Sequence, residues 1–324
     1  MSDKRKIGGY IEFEHYSGTI YHECAVALNS GRNALAYLCE TKNIKQLRLP
    51  LFLCSSVMNL CSSIGVRFTN YPIKENFEPD IIKPLADDEW LYIVNYYGQL
   101  NDEKITEYSA KYKRIIVDNS QSYFQRPDEE YPTDTLYSCR KYFGVSDGAF
   151  LYTDRKLDRC IPVDESYKRM EFLLGRFDTE DPGLFYDGYK ANNMIFQNEP
   201  IKEMSRLTAN ILMSIDYDKI RKIRNKNFKY LDSKLRSINE LKLDSTNATF
   251  MYPLLIRNGS EVRKELIKSN LFVPQLWPLD KEHALIDSLE YRYSEDILPL
   301  PIDQRYSIED MEYIVSLVNN VVLG

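Results

Sequence analysis

Short apolar runs separated by stretches of helical periodicity fill the chain from about residue 24 to residue 154. The segment "NSGRNALAYLCETKN" carries a cap followed by apolar residues at helical spacing, and "QLRLPLFL" then reads as a strand entering a loop. A helix over "SSVMNLCSSIG" and strands over "VRFTNYPI" and "WLYIVNYYG" follow; a helix through "DEKITEYSAKY" and strands at "RIIVD", "TLYSC" and "GAFLYT" complete the series. Strands alternating with helices predict an α/β unit on a largely parallel sheet. Ligands of such sheets bind beyond the carboxyl ends of the strands, and Tyr97, Asp118 and Ser138 all fall at such ends.

Beyond residue 155 the pattern changes. The stretch to about 200, with "GRFDTEDPGLFYDGYKANNMIFQNEP", is rich in Gly, Asp and Asn and reads as an irregular connection. Amphipathic helices then run to about 240. A strand "ATFMYPLLI", a helix from Glu261, extended segments through "LFVPQLWP" and "ILPLPI", and a closing helix "IEDMEYIVSLVNNVV" complete the chain. The expected division is a large domain over residues 1–200 and a smaller C-terminal α/β domain over 201–324.

Composition narrows the function classes. Hydrophobic content of 44% and charged content of 28% are those of a soluble globular protein, and a net charge of -6 gives no support for a nucleic-acid partner. The basic run "KIRKIRNKNFKYL" has Ile220, Ile223, Phe228 and Leu231 at helical spacing, so its lysines are expected on a solvated helix face. The basic start lacks the apolar core of a secretory signal, and no stretch approaches the ~18 apolar residues of a membrane span. Six scattered cysteines without a C-x-x-C suggest reduced, mostly buried thiols and a cytoplasmic setting. Three dispersed histidines, His15, His22 and His283, are too few for a zinc site, and each is expected to be structural.

What remains is a carboxylate, an amide and a lysine placed in succession around strand ends. An enzyme using pyridoxal 5'-phosphate needs a lysine for the cofactor aldehyde, a carboxylate against the pyridine nitrogen, and donors for the phosphate at a helix N-terminus. Asp118 ends an apolar strand. At about 4 Å from the ring nitrogen a carboxylate contributes about 4 kcal/mol at an effective dielectric near 20, or roughly three pKa units. Gln121 can reach a ring substituent, and Lys141 follows Ser138 at S-x-x-K spacing. Ser30, Gly31, Arg32 and Asn33 lie where a helix begins, so their N–H groups can cradle a phosphate. Each element also has a structural reading: an ordinary strand-end Asp, a surface Lys, a helix cap. Order and spacing together favour the chemical one.

The same residues carry a resemblance. The chain resembles, nearly end to end, the DegT/StrS-type family of PLP-dependent sugar aminotransferases. "ALNSGRNALAYL" is similar to the family's phosphate-loop segment and "VNYYGQLND" to its Tyr-Gly-Gln segment, which singles out Tyr97, Gly98 and Gln99. "IIVDNSQSY" resembles its Glu-Asp-x-Ala-Gln block and "RKYFGVSDGA" the segment from the Schiff-base lysine to a Gly-Gly, giving Lys141 and Gly148. "LPLPIDQRYSIEDMEYIV" resembles the closing Leu-Pro-x-His and helix.

The resemblance implies the PLP-dependent transferase fold type I, a glutamate-like amino donor, a keto-sugar nucleotide acceptor, surface-glycan or amino-sugar biosynthesis, and a homodimer with interfacial sites. Catalysis would fall to Lys141 and Asp118; Ser30, Gly31, Arg32, Asn33, Cys54, Tyr97, Gln121 and Ser138 would join them in binding the cofactor. Departures are visible. Cys54 stands where the family has a ring-stacking residue, leaving Phe52, Tyr96 or Tyr97 as substitutes; Arg32 replaces a threonine, and Ser138 lies closer to the lysine than usual. Asp303 replaces the closing histidine. The Asn-rich stretch of Asn192, Asn193 and Asn198 is expected to reach a partner subunit's phosphate. The competing reading is a non-catalytic fold relative that binds a ligand and regulates. A dehydratase is disfavoured because such variants replace the lysine with histidine.

Overall fold

The computed structural model describes residues 7–128, 133–179, 181, 183–244, 246–279 and 286–323, and His283 lies outside them. In chain order the first half contains β1 (Val26–Leu28), α1 (Gly31–Thr41), β2 (Gln46–Pro50), α2 (Ser55–Ser63) and β3 (Arg67–Tyr71). There follow β4 (Glu89–Val94), α3 (Asp102–Tyr112), β5 (Ile115–Asp118), β6 (Asp134–Ser138) and β7 (Ala149–Tyr152). The strands form a seven-stranded sheet in the order β1-β7-β6-β5-β4-β2-β3. Its members from β6 across to β3 run parallel, and β7 is the antiparallel one, pairing both β6 and β1. This is the expected mostly parallel α/β sheet. Its central strands are continuous apolar runs because helices cover both faces, and Leu91 to Val94 and Ile115 to Val117 are all buried.

Two parts of the chain differ from the sequence reading. The supposed irregular connection contains α4 (Glu171–Thr179) and α5 (Tyr186–Ile195). Gly188, Asn192 and Asn193 weaken the intrinsic helical signal of α5, and tertiary contacts of Asn192 and Asn193 stabilise it instead. The segment "LFVPQLWP" forms no strand; Trp277 takes a positive φ of 50° there.

The second half consists of α6 (Arg206–Met213), α7 (Tyr217–Leu235), β8 (Met251–Leu255), α8 (Gly259–Lys268), α9 (Leu289–Asp296), β9 (Ile297–Pro301) and α10 (Ile308–Leu323), with β8 and β9 an antiparallel pair. As expected, α7 buries Ile220, Phe228 and Leu231 and leaves Lys219, Lys222, Lys226 and Lys229 exposed. Arg224 breaks that rule and is buried in place of Ile223. The core is shared across residue 200: Leu47 and Ile116 of the sheet belong to the same apolar cluster as Phe228, Leu254, Leu298 and Met311. A second cluster joins Tyr123, Tyr137 and Phe150 to Leu212 and Ile220. Cys39, Cys61 and Cys139 are buried, but Cys24, Cys54 and Cys160 are exposed, so the expectation of mostly buried thiols holds for only half of them.

Candidate active site

Parallel pairing sets Asp118 at the end of β5 opposite Val94 of β4 and Leu136 of β6, two residues before Ser138 ends that strand. A short 3-10 turn, Cys139–Lys141, then carries Lys141 back over the sheet's carboxyl edge. Ser120 ties the acid to the amine: its N–H donates to Asp118 Oδ1 at 2.8 Å, and its Oγ accepts from Lys141 Nζ at 2.8 Å. The other carboxylate oxygen accepts from the Tyr92 hydroxyl at 2.7 Å. Burial first, and then the Asp118 charge, hold the Tyr92 pKa well above its usual value, so Tyr92 keeps the proton it donates.

Lys141 is the pivot of the local electrostatics. Burial pushes its pKa down, the neighbouring Arg140 acts in the same direction, and Asp118 and Cys54 oppose them. The result is an amine more readily neutral than a surface lysine. That is the state a nucleophilic amine requires.

The amino end of α1 adjoins the turn bearing Lys141, through Gly148, which donates to the Asn29 carbonyl and accepts from Cys139 N. Ser30 Oγ accepts from Asn33 N at 3.2 Å and caps the helix. Asn33 differs from expectation: its Nδ2 donates to Asn29 Oδ1 at 2.6 Å and to the Pro200 carbonyl at 2.9 Å, so its side chain is committed to the scaffold. Arg32 remains, with Nη1 donating to the Asn193 carbonyl at 3.4 Å. Arg140 donates to the side chain of that same Asn193 and lies over the Phe196 ring at 4.6 Å. Within this chain, Asn193 is thus engaged by both arginines. The Ser138 hydroxyl makes no hydrogen bond among the described residues and is half-buried, open to a ligand.

The proposed ring-covering aromatics are elsewhere. Phe52, Tyr96 and Tyr97 pack with Phe77 and Trp277 in one aromatic cluster, with Tyr97 0% exposed. Tyr97 has a φ of 51°, and its N–H is held by Gln121 Oε1 at 2.7 Å. Tyr97 is thus packed in this cluster, its hydroxyl buried and without a hydrogen-bond partner among the described residues, and Gln121 supports its turn, leaving its own Nε2 without a partner among them. Cys54, at the cap of α2, is exposed and lies near enough to Arg32 and Lys141 to favour both cations when ionised.

The C-terminal half closes the site from the other side. Phe250 lies 5.7 Å from Lys141 Nζ. Arg224 donates to the carbonyls of Thr249 and Phe250 at 3.2 Å each, covers the Tyr142 ring at 4.5 Å, and is steadied by Gln304, which also donates to the Tyr142 carbonyl at 2.7 Å. Asp303 pairs with Arg305 at 2.6 Å. Tyr92, Ser120, Arg140, Phe250, Arg224 and Gln304 were not singled out from sequence; Arg224 alone left a trace, as a cation on an apolar helix face. A separate cleft of about 670 Å³, lined by Asn33, Glu40, Lys45, Arg159 and Pro200, includes neither Asp118 nor Lys141, so chemistry rather than volume locates the site.

His22 and His15 make their contacts with neither Asp118 nor Lys141. His22, fully buried, contacts the Tyr123 carbonyl at 2.9 Å and the Tyr152 hydroxyl at 3.1 Å, and His15 is paired with Glu12 on the surface.

No family profile and no curated protein matches this sequence. Solved structures do. A DegT DnrJ EryC1 StrS aminotransferase from Brucella abortus superposes with a TM-score of 0.63 at 12% identity, over 91% of this chain and 85% of that one. The ntda protein from Bacillus subtilis, solved with bound cofactor PMP, gives 0.67 at 14%, over 93% and 73%. The sugar aminotransferase CalS13 from Micromonospora echinospora gives 0.62 at 13%, over 93% and 88%. At such identities the likeness is one of fold, and the chain has the fold of the DegT/DnrJ/EryC1/StrS-type aminotransferases.

Proposed function

We propose that the protein is a pyridoxal-phosphate-dependent aminotransferase that moves an amino group from a donor such as glutamate to a keto-sugar nucleotide, in amino-sugar or surface-glycan biosynthesis. The observation that carries this reading is the Asp118–Ser120–Lys141 arrangement at the carboxyl edge of the sheet.

The residues present fit the cofactor. A lysine with a depressed pKa stands beside a carboxylate whose oxygens are both hydrogen-bonded, and two arginines flank the helix end where a phosphate belongs. When bound, the cofactor supplies an aldehyde for an amine and a ring that withdraws electrons. The chain supplies the rest. Lys141 would hold the aldehyde carbon through Nζ with loss of water and, once displaced by the donor's amine, would take and return protons at the substrate carbon. Asp118 would hold a proton on the ring nitrogen, and Tyr92 and Ser120 fix its carboxylate for that task. Phe250 narrows access to Lys141, and Gln121 Nε2, Ser138 and Cys54 are the remaining contacts offered by this chain. The fold shared with sugar aminotransferases supports the acceptor class.

A homodimer in the cytoplasm completes the proposal. Its support is an exposed apolar surface on and around α4 and α5, where Leu174, Phe177, Leu184, Tyr186 and Met194 are each more than half exposed (Phe177 88%). Such a surface on a single chain marks an interaction site.

The test is spectroscopic. Purified protein given the cofactor should show the absorbance of a lysine-bound aldehyde. Lys141→Ala should lose it, and borohydride reduction should label the peptide containing Lys141. Glutamate should shift the spectrum to the amine form. A protein that stays colourless with added cofactor would instead support a ligand-binding relative without catalysis.

A further inference from the structure

A lysine that takes and returns protons at a substrate carbon must first be released by the aldehyde. The donor nitrogen bonds to the aldehyde carbon as the bond from Nζ breaks, and one proton passes from the donor nitrogen to Nζ, which leaves as a neutral amine. A freed lysine side chain regains its rotamer freedom unless something holds it. Lys42, Lys104 and Lys202, the other half-buried lysines among the described residues, each meet a carboxylate: Asp134 at 2.7 Å, Glu107 at 3.0 Å and Glu199 at 2.7 Å. Lys141 makes no ion pair among the described residues; its Nζ donates to Ser120 Oγ at 2.8 Å. Ser120 is a fixed post. Its N–H closes a turn on Asp118 Oδ1 at 2.8 Å, and the preceding Asn119 donates from N to the Leu136 carbonyl of β6 at 2.9 Å. The hydroxyl on the amine is therefore not that of Ser138, at S-x-x-K spacing, but one brought from the end of β5. Ser120 also stands at the Ala of the block that "IIVDNSQSY" resembles, so the contact belongs to this chain's own sequence.

We propose that Ser120 is a positioning residue for Lys141: its hydroxyl holds the amine whenever that amine is not bonded to the aldehyde, so that proton transfer starts from one fixed place. What the amine then does rests on the aminotransferase reading; the hold itself rests on the Ser120 contact alone. The charged and titratable groups around Nζ are Asp118 at the end of β5, Arg140 on the same turn and Cys54 at the cap of α2, with the Phe250 ring facing it from the C-terminal half. Ser120→Ala removes none of these and keeps the backbone N–H on Asp118, so it isolates the hydroxyl. A hydrogen-bond acceptor stabilises an ammonium more than a neutral amine, and losing it lowers the pKa of Lys141.

Wild type, Ser120→Ala and Ser120→Thr are first labelled without cofactor by trinitrobenzenesulfonate across a pH series, and modification of Lys141 is read by peptide mass analysis. Labelling follows the neutral amine. Its midpoint should fall by about one pH unit in Ser120→Ala and return to the wild-type value in Ser120→Thr. The same proteins then receive pyridoxal 5'-phosphate and glutamate. Ser120→Ala should bind the cofactor within about threefold of wild type yet convert it to the amine form about fivefold more slowly in a single turnover, and Ser120→Thr should recover most of that rate. An unmoved labelling midpoint in Ser120→Ala overturns the proposal, as does a conversion rate equal to that of wild type or a Ser120→Thr protein that behaves like Ser120→Ala. A loss of cofactor affinity as large as the loss of rate makes Ser120 a binding residue and overturns it too. If wild type takes up no cofactor, or glutamate does not convert it, the aminotransferase reading fails, and the labelling midpoint still decides whether Ser120 holds Lys141. Should circular dichroism show Ser120→Ala unfolded, Ser120→Gly, which also keeps the N–H and lacks the hydroxyl, carries the same test.

Discussion

At the residue scale, the site is a set of charges whose neighbours decide their protonation. Asp118→Asn removes the carboxylate that would keep a ring nitrogen protonated, and a loss of about 4 kcal/mol at an effective dielectric near 20 predicts roughly a thousandfold lower kcat. Tyr92→Phe removes one hydrogen bond from that carboxylate, about 1 kcal/mol, so a drop of about fivefold is expected. Steady-state kinetics check both. The pH dependence has a definite sign. Lys141 is depressed below 10.5 by burial and by Arg140, and raised by Asp118 and Cys54. Removing the Arg140 charge therefore raises it, so the acid limb of pyridoxal association moves to higher pH in Arg140→Gln; in Cys54→Ser it moves to lower pH. Asp118 and Lys141 were legible in the sequence because one ends an apolar run and the other follows a strand at S-x-x-K spacing. Tyr92 was not: it lies inside β4, and only the pairing of β4 with β5 brings its hydroxyl to the acid. The contact between Arg140 and Asn193 was hidden for the same reason, the two being 53 positions apart.

Elements carry the site through a few backbone contacts. Gly148 has a φ of +116°, and its N–H donates to the Asn29 carbonyl at 2.6 Å while its own carbonyl accepts from Cys139 N at 3.0 Å. It therefore joins the residue before the α1 cap to the turn bearing Lys141. A Cβ there would sit 3.0 Å from Thr208 and 3.1 Å from Cys139. Gly148→Ala is expected to cost about 2 kcal/mol and to impair both halves of the site together, read as a lower denaturation midpoint and weaker cofactor binding. Ser30→Ala should cost about 1 kcal/mol through the lost cap alone. The strand and helix order of the first half was readable because apolar period and caps agreed. The α4–α5 hairpin was not, since α5 is built from weak helix formers held by contacts to Ser146 and Arg140.

For the whole molecule, the buried His22 makes stability depend on pH. Burial lowers its pKa from 6.5 to about 3, against a hydrogen bond to Tyr123 that raises it, so the unfolded chain binds the proton first. Its contribution is present above pH 6.5 and is lost toward pH 3, at up to about 1.4 kcal/mol per pH unit. Acid denaturation of His22→Gln should show a shallower fall over that window. Phe177→Glu, on the exposed apolar surface, should leave the fold intact and shift any dimer toward monomer, as sedimentation would show. The aromatic and arginine ties between the two halves were beyond sequence reading, because nothing local marks Arg224 as the partner of Tyr142.

That tie has a consequence for the order of assembly. Tyr142, next to Lys141, is held by Arg224 and by Gln304, the latter 162 positions further along the chain. Until residues 224 and 304 have been synthesised, the turn bearing Lys141 lacks this brace. The lysine turn is thus braced only once Gln304 is in place, and a stop before residue 304 would remove that brace together with the core residues Met311, Ile314 and Val318.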